Sequence, residues 1–548
     1  MLSRKLFKST AIVSSMTMIS RILGFIRDML FARIFGVDSG TDAFFVAFKI
    51  PNFLRRLFAE GAFAQAFVPV LADYKEQGSH EALKLFVDRT AGSLALVLMG
   101  VSIIGMIAAP LLIMLFAPGF MWEGGQYELA VQMLRITFPY LFFISSVAFA
   151  GGILNSHGHF AVPAFTPVFL NICMIAAALW LSPLMPQPIT ALAWGVFVAG
   201  AVQLAFQFPA LMRLGLLPRP QFGFKDEGVK RIMKLMLPAI FGVSVTQINL
   251  LLDTLLASFL ATGSVSWLYY SDRLVEFPLG IFGIALATVI LPSLSKNHAA
   301  NDTVAFSRSL DWGLRLVLLI GVPASLGLLT LAEPMLSTLF QYNEFGINDV
   351  QMAGRSLMAY SVGLLGFILV KILVPAFSSR KDMKTPVRFG IYAMIANMVF
   401  NLMLFYPLAH VGLALATSLG AFFNASLLLT HLLKEKVYQP ANGWGSYLLR
   451  VTVANSAMGA SLYYFVDISL WYHWEAFDKI LYLALAIAAG AFIYGIVLLL
   501  IGFRPRHLSP VMDIAIEAVA TKKINKKRKK HNKRQLLKRQ RGLGRKGR

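Results

Sequence analysis

The chain has 548 residues, of which 57% are hydrophobic and only 14% charged, and its formal net charge is +23. Soluble domains carry about 25% charged residues, so one large soluble core is a poor explanation of this composition. The single cysteine, Cys173, excludes an intramolecular disulfide, and nine scattered histidines without HExxH-type spacing give no metal-binding motif.

A transmembrane helix needs roughly 20 mostly apolar residues, and the sequence offers such stretches repeatedly. The N-terminal run AIVSSMTMIS superficially resembles a signal peptide. It lacks a small-residue cleavage site and is followed by Arg21, Arg27 and Asp28, so it reads as the start of a first helix. Hydropathy and turn signals then place fourteen helices near 11–36, 42–74, 90–116, 128–154, 160–182, 190–214, 230–260, 265–295, 309–341, 350–378, 386–407, 411–433, 446–472 and 478–502. The second and eighth are weak on hydropathy because they contain charges. The loops between the helices require both.

Loops on one side are basic: Arg4, Lys5 and Lys8 at the start, then Lys75, Lys84 and Arg89, then six Lys/Arg between Arg213 and Lys234. Arg380, Lys381, Lys384 and Arg388 continue the series, with Lys434 and Lys436. The opposite loops, APGFMWEGGQYE, SPLMPQP, ATGSVS, QYNEFGIND and YPLAH, contain no Lys or Arg. Positive loops stay in the cytoplasm. The alternation predicts an all-α, multi-pass inner-membrane protein with both termini cytoplasmic.

Three offsets suggest an internal repeat. Asp28, Leu30 and Ala32 match Asp253, Leu255 and Ala257; Ser156 and Pro163 match Ser379 and Pro386; Gly200 and Ala201 match Gly420 and Ala421. They predict two six-helix halves, 1–220 and 221–440, followed by helices thirteen and fourteen within 441–505 and a basic tail, 506–548. Parallel repeats of this kind build two bundles that rock around a central cavity.

Charges within membrane helices are costly and mark pathways. Here they concentrate in the first helices of each half: Arg21, Arg27 and Asp28; Asp42, Lys49, Arg55, Arg56 and Glu60; Asp253; Asp272, Arg273 and Glu276; and Lys371 in the tenth. Arg56 with Glu60 and Arg273 with Glu276 have spacings that allow pairing on one helical face. Arg21 and Asp28 lie nearly in register after two turns. Arg27 and Arg55 have no obvious local partner. Arginine remains charged at any working pH and grips phosphate through a planar fork, so Arg21, Arg27, Arg55 and Arg273 are expected to converge on a diphosphate. Asp28, Asp42, Glu60 and Glu276 are expected to be gating or charge partners. There is no nucleophile–base constellation, and no GxxxxGK[ST] loop for ATP; the chain reads as a non-enzymatic transporter without a resident cofactor or metal, driven by the membrane potential or an ion gradient.

The runs SRILGFIRDMLFARIFG, TDAFFVAFKIPNFLRRLFAEGAFAQAFVPV, QINLLLDTLLASFL and YYSDRLVEFPLGIFGIALATVILPSLS resemble the MurJ (MviN) lipid II flippase family, within the multidrug, oligosaccharidyl-lipid and polysaccharide exporter superfamily. The resemblance covers about residues 1–505. It implies transfer of lipid II, an undecaprenyl-diphosphate disaccharide pentapeptide, to the outer face of the inner membrane for peptidoglycan synthesis. It also implies functional charges at Arg21, Arg27, Asp42, Arg55, Glu60 and Arg273, and a tail-binding groove at helices thirteen and fourteen. An ion site in some relatives corresponds to Asp253, Asn397, Asn401 and Thr417; an acidic residue at Asn401 would make it stronger.

Alternatives from the sequence are an exporter of another polyprenyl-linked glycan, a drug or ion antiporter of the same fold, and a scaffold for cell-wall synthesis proteins. A drug-cation exporter should present acids centrally, whereas these charges are mostly cationic. From Lys522 to Arg548 the tail has fifteen Lys/Arg and no acid. That pattern suits anionic membrane lipids. It has no interleaved aromatic residue or folded module, so nucleic acid is not expected as a partner.

Overall fold

The computed structural model describes residues 2–122 and 124–504; the side chains of 2–11, 58–60, 77, 239, 241–250 and 284 lie outside the description, as does the basic tail. Among the described residues the chain is helical throughout and crosses back and forth as fourteen rods. They are α1 (Leu2–Phe35), α2 (39–77), α3 (80–116), α4 (Gln126–Ser156), α5 (Ala161–Leu184), α6 (Thr190–Arg213) and α7 (Glu227–Ala257). Then follow α8 (Ser264–Ala299), α9 (303–340), α10 (Ile347–Ser378), α11 (384–408), α12 (410–434), α13 (Trp444–Phe465) and α14 (Ala476–Leu500). At 1.5 Å per residue, even the 22 residues of α13 reach about 33 Å, enough to cross a hydrocarbon core of about 30 Å.

Nine helices among the described residues are long and apolar enough to cross a membrane on composition alone, and Lys384–Lys434 is counted there as one. The structure divides it at Ala409, which has φ 47° and ψ −129°. Charge removes α2 from that set of nine, yet it forms one continuous rod. Its middle, Arg55–Phe63, is a π-helical turn.

Landmarks in the first six rods recur 221 to 224 residues later. Ser79 caps α3 through the Ala82 N–H, and Asp302 caps α9 through the Ala305 N–H. Both rods break once, at Ala108 and at Leu331. Chain exits with positive φ pair Gly158 with Lys381 and Gly215 with Lys436. The π turn of α2 begins at Arg55, that of α8 at Leu279.

The two sets of six touch on both sides of the membrane. On the basic side α7 packs along α2, and Arg231 pairs with Asp73 at 2.7 Å. On the opposite side the first half of α8 packs on the first half of α2, and the Gly119 N–H donates to Ser258 Oγ at 3.2 Å. Gly119 is required there: a Cβ would stand 1.9 Å from the Ser258 carbonyl oxygen.

The α13–α14 hairpin is fastened to α9 at both ends. On the basic side buried Asp311 accepts from Tyr438 Oη (2.8 Å), Trp444 Nε1 (2.7 Å), the Ala441 N–H (3.1 Å) and Arg315 Nε (2.8 Å). Burial, reinforced by the Asp311 carboxylate, pushes the Tyr438 hydroxyl well above its ordinary pKa. On the opposite side Trp471 Nε1 donates to Thr338 Oγ1 (3.0 Å) and Lys479 Nζ to Gln341 Oε1 (2.9 Å).

Candidate functional site

A cavity of about 430 Å³ lies between α1, α2, α5, α7, α8, α10 and α12, within the usual span of small-ligand sites, about 300–1,000 Å³. Five cations line it, Arg27, Lys49, Arg55, Arg56 and Arg273, against three carboxylates, Asp253, Asp272 and Glu276.

One wall carries a charge cluster joining the two halves. Arg27 on α1 is 4% exposed and Asp28 is 1% exposed. Arg27 Nε and one terminal nitrogen donate to Asp28 Oδ1 at 3.0 and 2.7 Å. The other terminal nitrogen donates to Asn171 Oδ1 on α5 at 3.1 Å. From α8, Arg273 Nε approaches Asp28 Oδ2 at 3.1 Å, and its terminal nitrogen reaches Glu276 Oε2 at 3.0 Å. Tyr269 Oη donates to Asp28 Oδ1 at 2.9 Å and accepts from both arginines at 3.2 Å. Its ring stacks on Phe45 of α2, with centroids 3.9 Å apart. Two guanidiniums from different halves thus share one carboxylate and one hydroxyl. Such forks suit a phosphate or diphosphate, which can take the place of the carboxylate.

Three sequence expectations change here. Arg27 does have a local partner, the adjacent Asp28. Asp28 pairs with Arg27 and Arg273 rather than Arg21, because it is buried against α8. Arg21 does not line the cavity with Arg27, Arg55 and Arg273: its guanidinium lies on α8, where a Cβ on Gly280 would stand 2.1 Å from it.

Asp42 also differs from expectation. Among the described residues it pairs with no arginine; its carboxylate accepts the Gly263 N–H (2.7 Å), the Ser266 N–H (2.8 Å) and the Ser266 hydroxyl. Gly263 sits at φ 96° at the start of α8 and has no side chain to cap it. Asp42 supplies that cap from α2, where a negative charge also meets the positive end of the helix dipole. Arg55 Nε donates to Asn52 Oδ1 at 3.1 Å. The Glu60 side chain lies outside the described residues.

Asp253, Asn397, Asn401 and Thr417 do meet. Asn401 Nδ2 donates to Asp253 Oδ1 and to Asn397 Oδ1, each at 2.8 Å, while Thr417 Oγ1 lies 3.5 Å from Asp253 Oδ2. The amide nitrogen of Asn401 holds the carboxylate as a cation would, and Asn401 Oδ1 is buried without a hydrogen bond among the described residues. Oxygen donors of this kind suit a hard cation. No group of three or more His, Cys, Asp or Glu able to hold a metal occurs among the described residues.

Sequence reasoning did not select Tyr269 and Asn171, which are neutral, or Lys49 and Asp272, which it noted only as charges in helices. Lys49 interacts electrostatically with Asp253 and Asp272 across the cavity.

Comparison with known proteins gives consistent matches. The family described as "Lipid II flippase MurJ" matches residues 31–508. A "Probable lipid II flippase MurJ" of Vibrio cholerae is 48% identical over 519 residues, covering 93% of this chain and 99% of that protein. The "Lipid II flippase MurJ" of Burkholderia cenocepacia is 41% identical, covering 91% and 98%. Among solved structures, "Lipid II flippase MurJ, inward closed conformation" superposes with a TM-score of 0.75 at 27% identity, covering 88% of this chain and 97% of that one. An inward-facing multidrug resistance MATE transporter of the MOP superfamily shares the fold, with a TM-score of 0.63 at 13% identity over 78% and 98%.

Proposed function

The chain belongs to the lipid II flippase MurJ family, and we propose that it carries lipid II from the cytoplasmic to the periplasmic face of the inner membrane by alternating access. The observation that carries this reading is the meeting of Arg27 and Arg273, one from each half, on Asp28 at the cavity wall. A diphosphate displaces Asp28 and Glu276 from the two guanidiniums, so neither arginine is left without an anionic partner as cargo enters and leaves. Arg55 and Arg56 extend the cationic wall, and the Asp42 cap on α8 closes the periplasmic side.

The basic loops orient the protein with both termini in the cytoplasm. The halves, 1–220 and 221–440, rock about the cavity, while 441–505 contributes the hairpin that holds the lipid tail. For the basic tail, 506–548, anionic lipid headgroups are the partner its charge suits. The residues perform no covalent chemistry and require no resident cofactor. Energy comes from the membrane potential: one negative charge leaving an inside-negative cell gains ~2.3 kcal/mol per 100 mV. A monovalent cation at Asp253, Asn397, Asn401 and Thr417 is a second input.

The test is conditional depletion followed by identification of the lipid-linked precursor that accumulates. Accumulation of lipid II on the cytoplasmic leaflet is expected; accumulation of a different polyprenyl glycan instead would overturn the cargo assignment.

A further inference from the structure

α2 and α8 both start on the side opposite the basic loops and run in the same direction. Asp42 holds the start of α8 through Gly263 and Ser266. One turn further along both helices, Phe45 stacks on Tyr269, with ring centroids 3.9 Å apart and planes inclined by 23°. Phe45 is buried there. One turn further again, Lys49 and Arg273 line the cavity. The closed seam between the two helices therefore gives way to the cavity at this ring pair.

Tyr269 joins that seam to the charges. Its ring is held by α2, its backbone by α8, and its hydroxyl meets side chains of α1 and α8. A phenol hydroxyl donates one hydrogen bond and accepts two, and all three places are taken. It donates to Asp28 Oδ1 at 2.9 Å and accepts from Arg27 and Arg273, each at 3.2 Å. The guanidinium carbon of Arg273 also lies 5.1 Å from the centre of the Tyr269 ring. Two guanidiniums repel each other, and a shared acceptor between them fixes their separation. Being neutral, the hydroxyl adds no charge to attract an anion. What it sets is the distance and angle between two planar forks, on which bidentate recognition depends.

We infer that Tyr269 is a positioning residue that makes the grip of Arg27 and Arg273 depend on closure of the α2–α8 seam. This rests on the flippase reading. With the seam closed, Phe45 fixes the ring and the hydroxyl keeps both forks converged. Opening toward the side opposite the basic loops parts α2 from α8, so the ring loses its stacking partner and the forks spread. A diphosphate held by two converged forks is then held by one. Grip is lost on the side that has just opened, which gives release a direction.

The test measures binding of farnesyl diphosphate to the full-length protein, in a Cys173→Ala background, with the seam side held shut or wedged apart. Trp122 and Phe259 are exposed on that side, with rings 5.3 Å apart. A bifunctional thiol reagent joining Trp122→Cys to Phe259→Cys holds the side shut. Gly119→Leu wedges it apart, since even a Cβ there would stand 1.9 Å from the Ser258 carbonyl oxygen. With Tyr269 intact, the shut protein is expected to bind on the order of tenfold more tightly than the wedged one, within the usual range of coupling between sites. Tyr269→Phe keeps the ring stack, removes the hydroxyl, and is expected to abolish that difference. Phe45→Leu keeps the hydroxyl, removes the stack, and is expected to abolish it as well. A merely structural role for Tyr269 weakens shut and wedged protein by the same factor and leaves their ratio alone. An unchanged ratio in Tyr269→Phe, or equal binding by shut and wedged protein with Tyr269 intact, would overturn the inference. Arg27→Ala tests the underlying reading separately. Normal binding by the shut Arg27→Ala protein removes the diphosphate site itself, whereas lost binding there, beside an unchanged ratio in Tyr269→Phe, removes only the role given to Tyr269.

Discussion

Replacing Asp28 by Asn separates the two tasks assigned to that carboxylate. The substitution keeps the volume and the Oδ1 acceptor but removes the charge that two guanidiniums share. In the parent, Oδ1 receives Arg27 at 3.0 and 2.7 Å and Tyr269 at 2.9 Å, while Oδ2 faces Arg273 at 3.1 Å. Breaking a buried pair costs about 3–5 kcal/mol, because it leaves an uncompensated buried charge. Arg27 fits that description at 5% side-chain exposure, but Arg273 is 35% exposed and partly hydrated, so the lower end, about 3 kcal/mol, is expected. A diphosphate restores the missing negative charge. At about 100 times its Kd, a bound ligand returns about 2.7 kcal/mol, nearly the whole loss. Thermal unfolding in detergent, with and without short-chain polyprenyl diphosphate, reads both effects. Asp28→Asn should unfold several degrees below the parent, gain more from ligand than the parent does, and flip cargo more slowly because nothing displaces the anion. Parental stability, or an equal ligand shift in both proteins, would refute the idea that Asp28 stands in for the cargo's charge.

Asp42→Ala removes the cap of α8 and should cost about 1–2 kcal/mol, while making a cysteine introduced in place of Ser264, at the α2–α8 junction, more accessible to a thiol reagent; unchanged accessibility counts against a gating role. Ala409→Gly relieves a residue held at φ 47° and should raise stability by about 1 kcal/mol, read as a higher unfolding temperature. Asp311→Ala strips four hydrogen bonds from the foot of the hairpin and should cost about 3 kcal/mol, with proteolysis between 435 and 443 rising first. Asn401→Asp replaces the amide beside Asp253 with a second carboxylate and should make thermal stability depend on sodium concentration; identical unfolding in sodium and choline buffers would remove the ion-site assignment.

The rods were largely legible from the sequence. The stretch 128–154 is observed as Gln126–Ser156, and the division expected between 407 and 411 falls at Ala409. Loop charge was the reason: it required α2 and α8 where hydropathy alone was weak. The pairings were less legible. Spacing rules join residues three, four or seven apart on one helix, so they joined Asp28 to Arg21. The actual partners are the neighbouring Arg27 and an arginine 245 positions away on α8. A search for charge also passes over Tyr269 and Asn171, which hold the arginines through neutral groups. Asp42 was visible as a charge, but that it caps α8 depends on Gly263 having no side chain and on α2 packing alongside, neither of which a single-helix pattern contains. The π turns that carry Arg55 and seat Arg21 are backbone features without a sequence signature.

The most direct measurement is flipping itself, with purified protein in sealed vesicles. A membrane-impermeant reagent follows the fraction of diphosphate lipid exposed on one leaflet. The parent is expected to transfer the lipid. Arg27→Ala and Arg273→Ala, folded and inserted normally, should each slow transfer about 30-fold or more, the equivalent of ~2 kcal/mol. Parental rates from both variants would contradict the account that the two arginines sharing Asp28 are where the cargo's diphosphate is held.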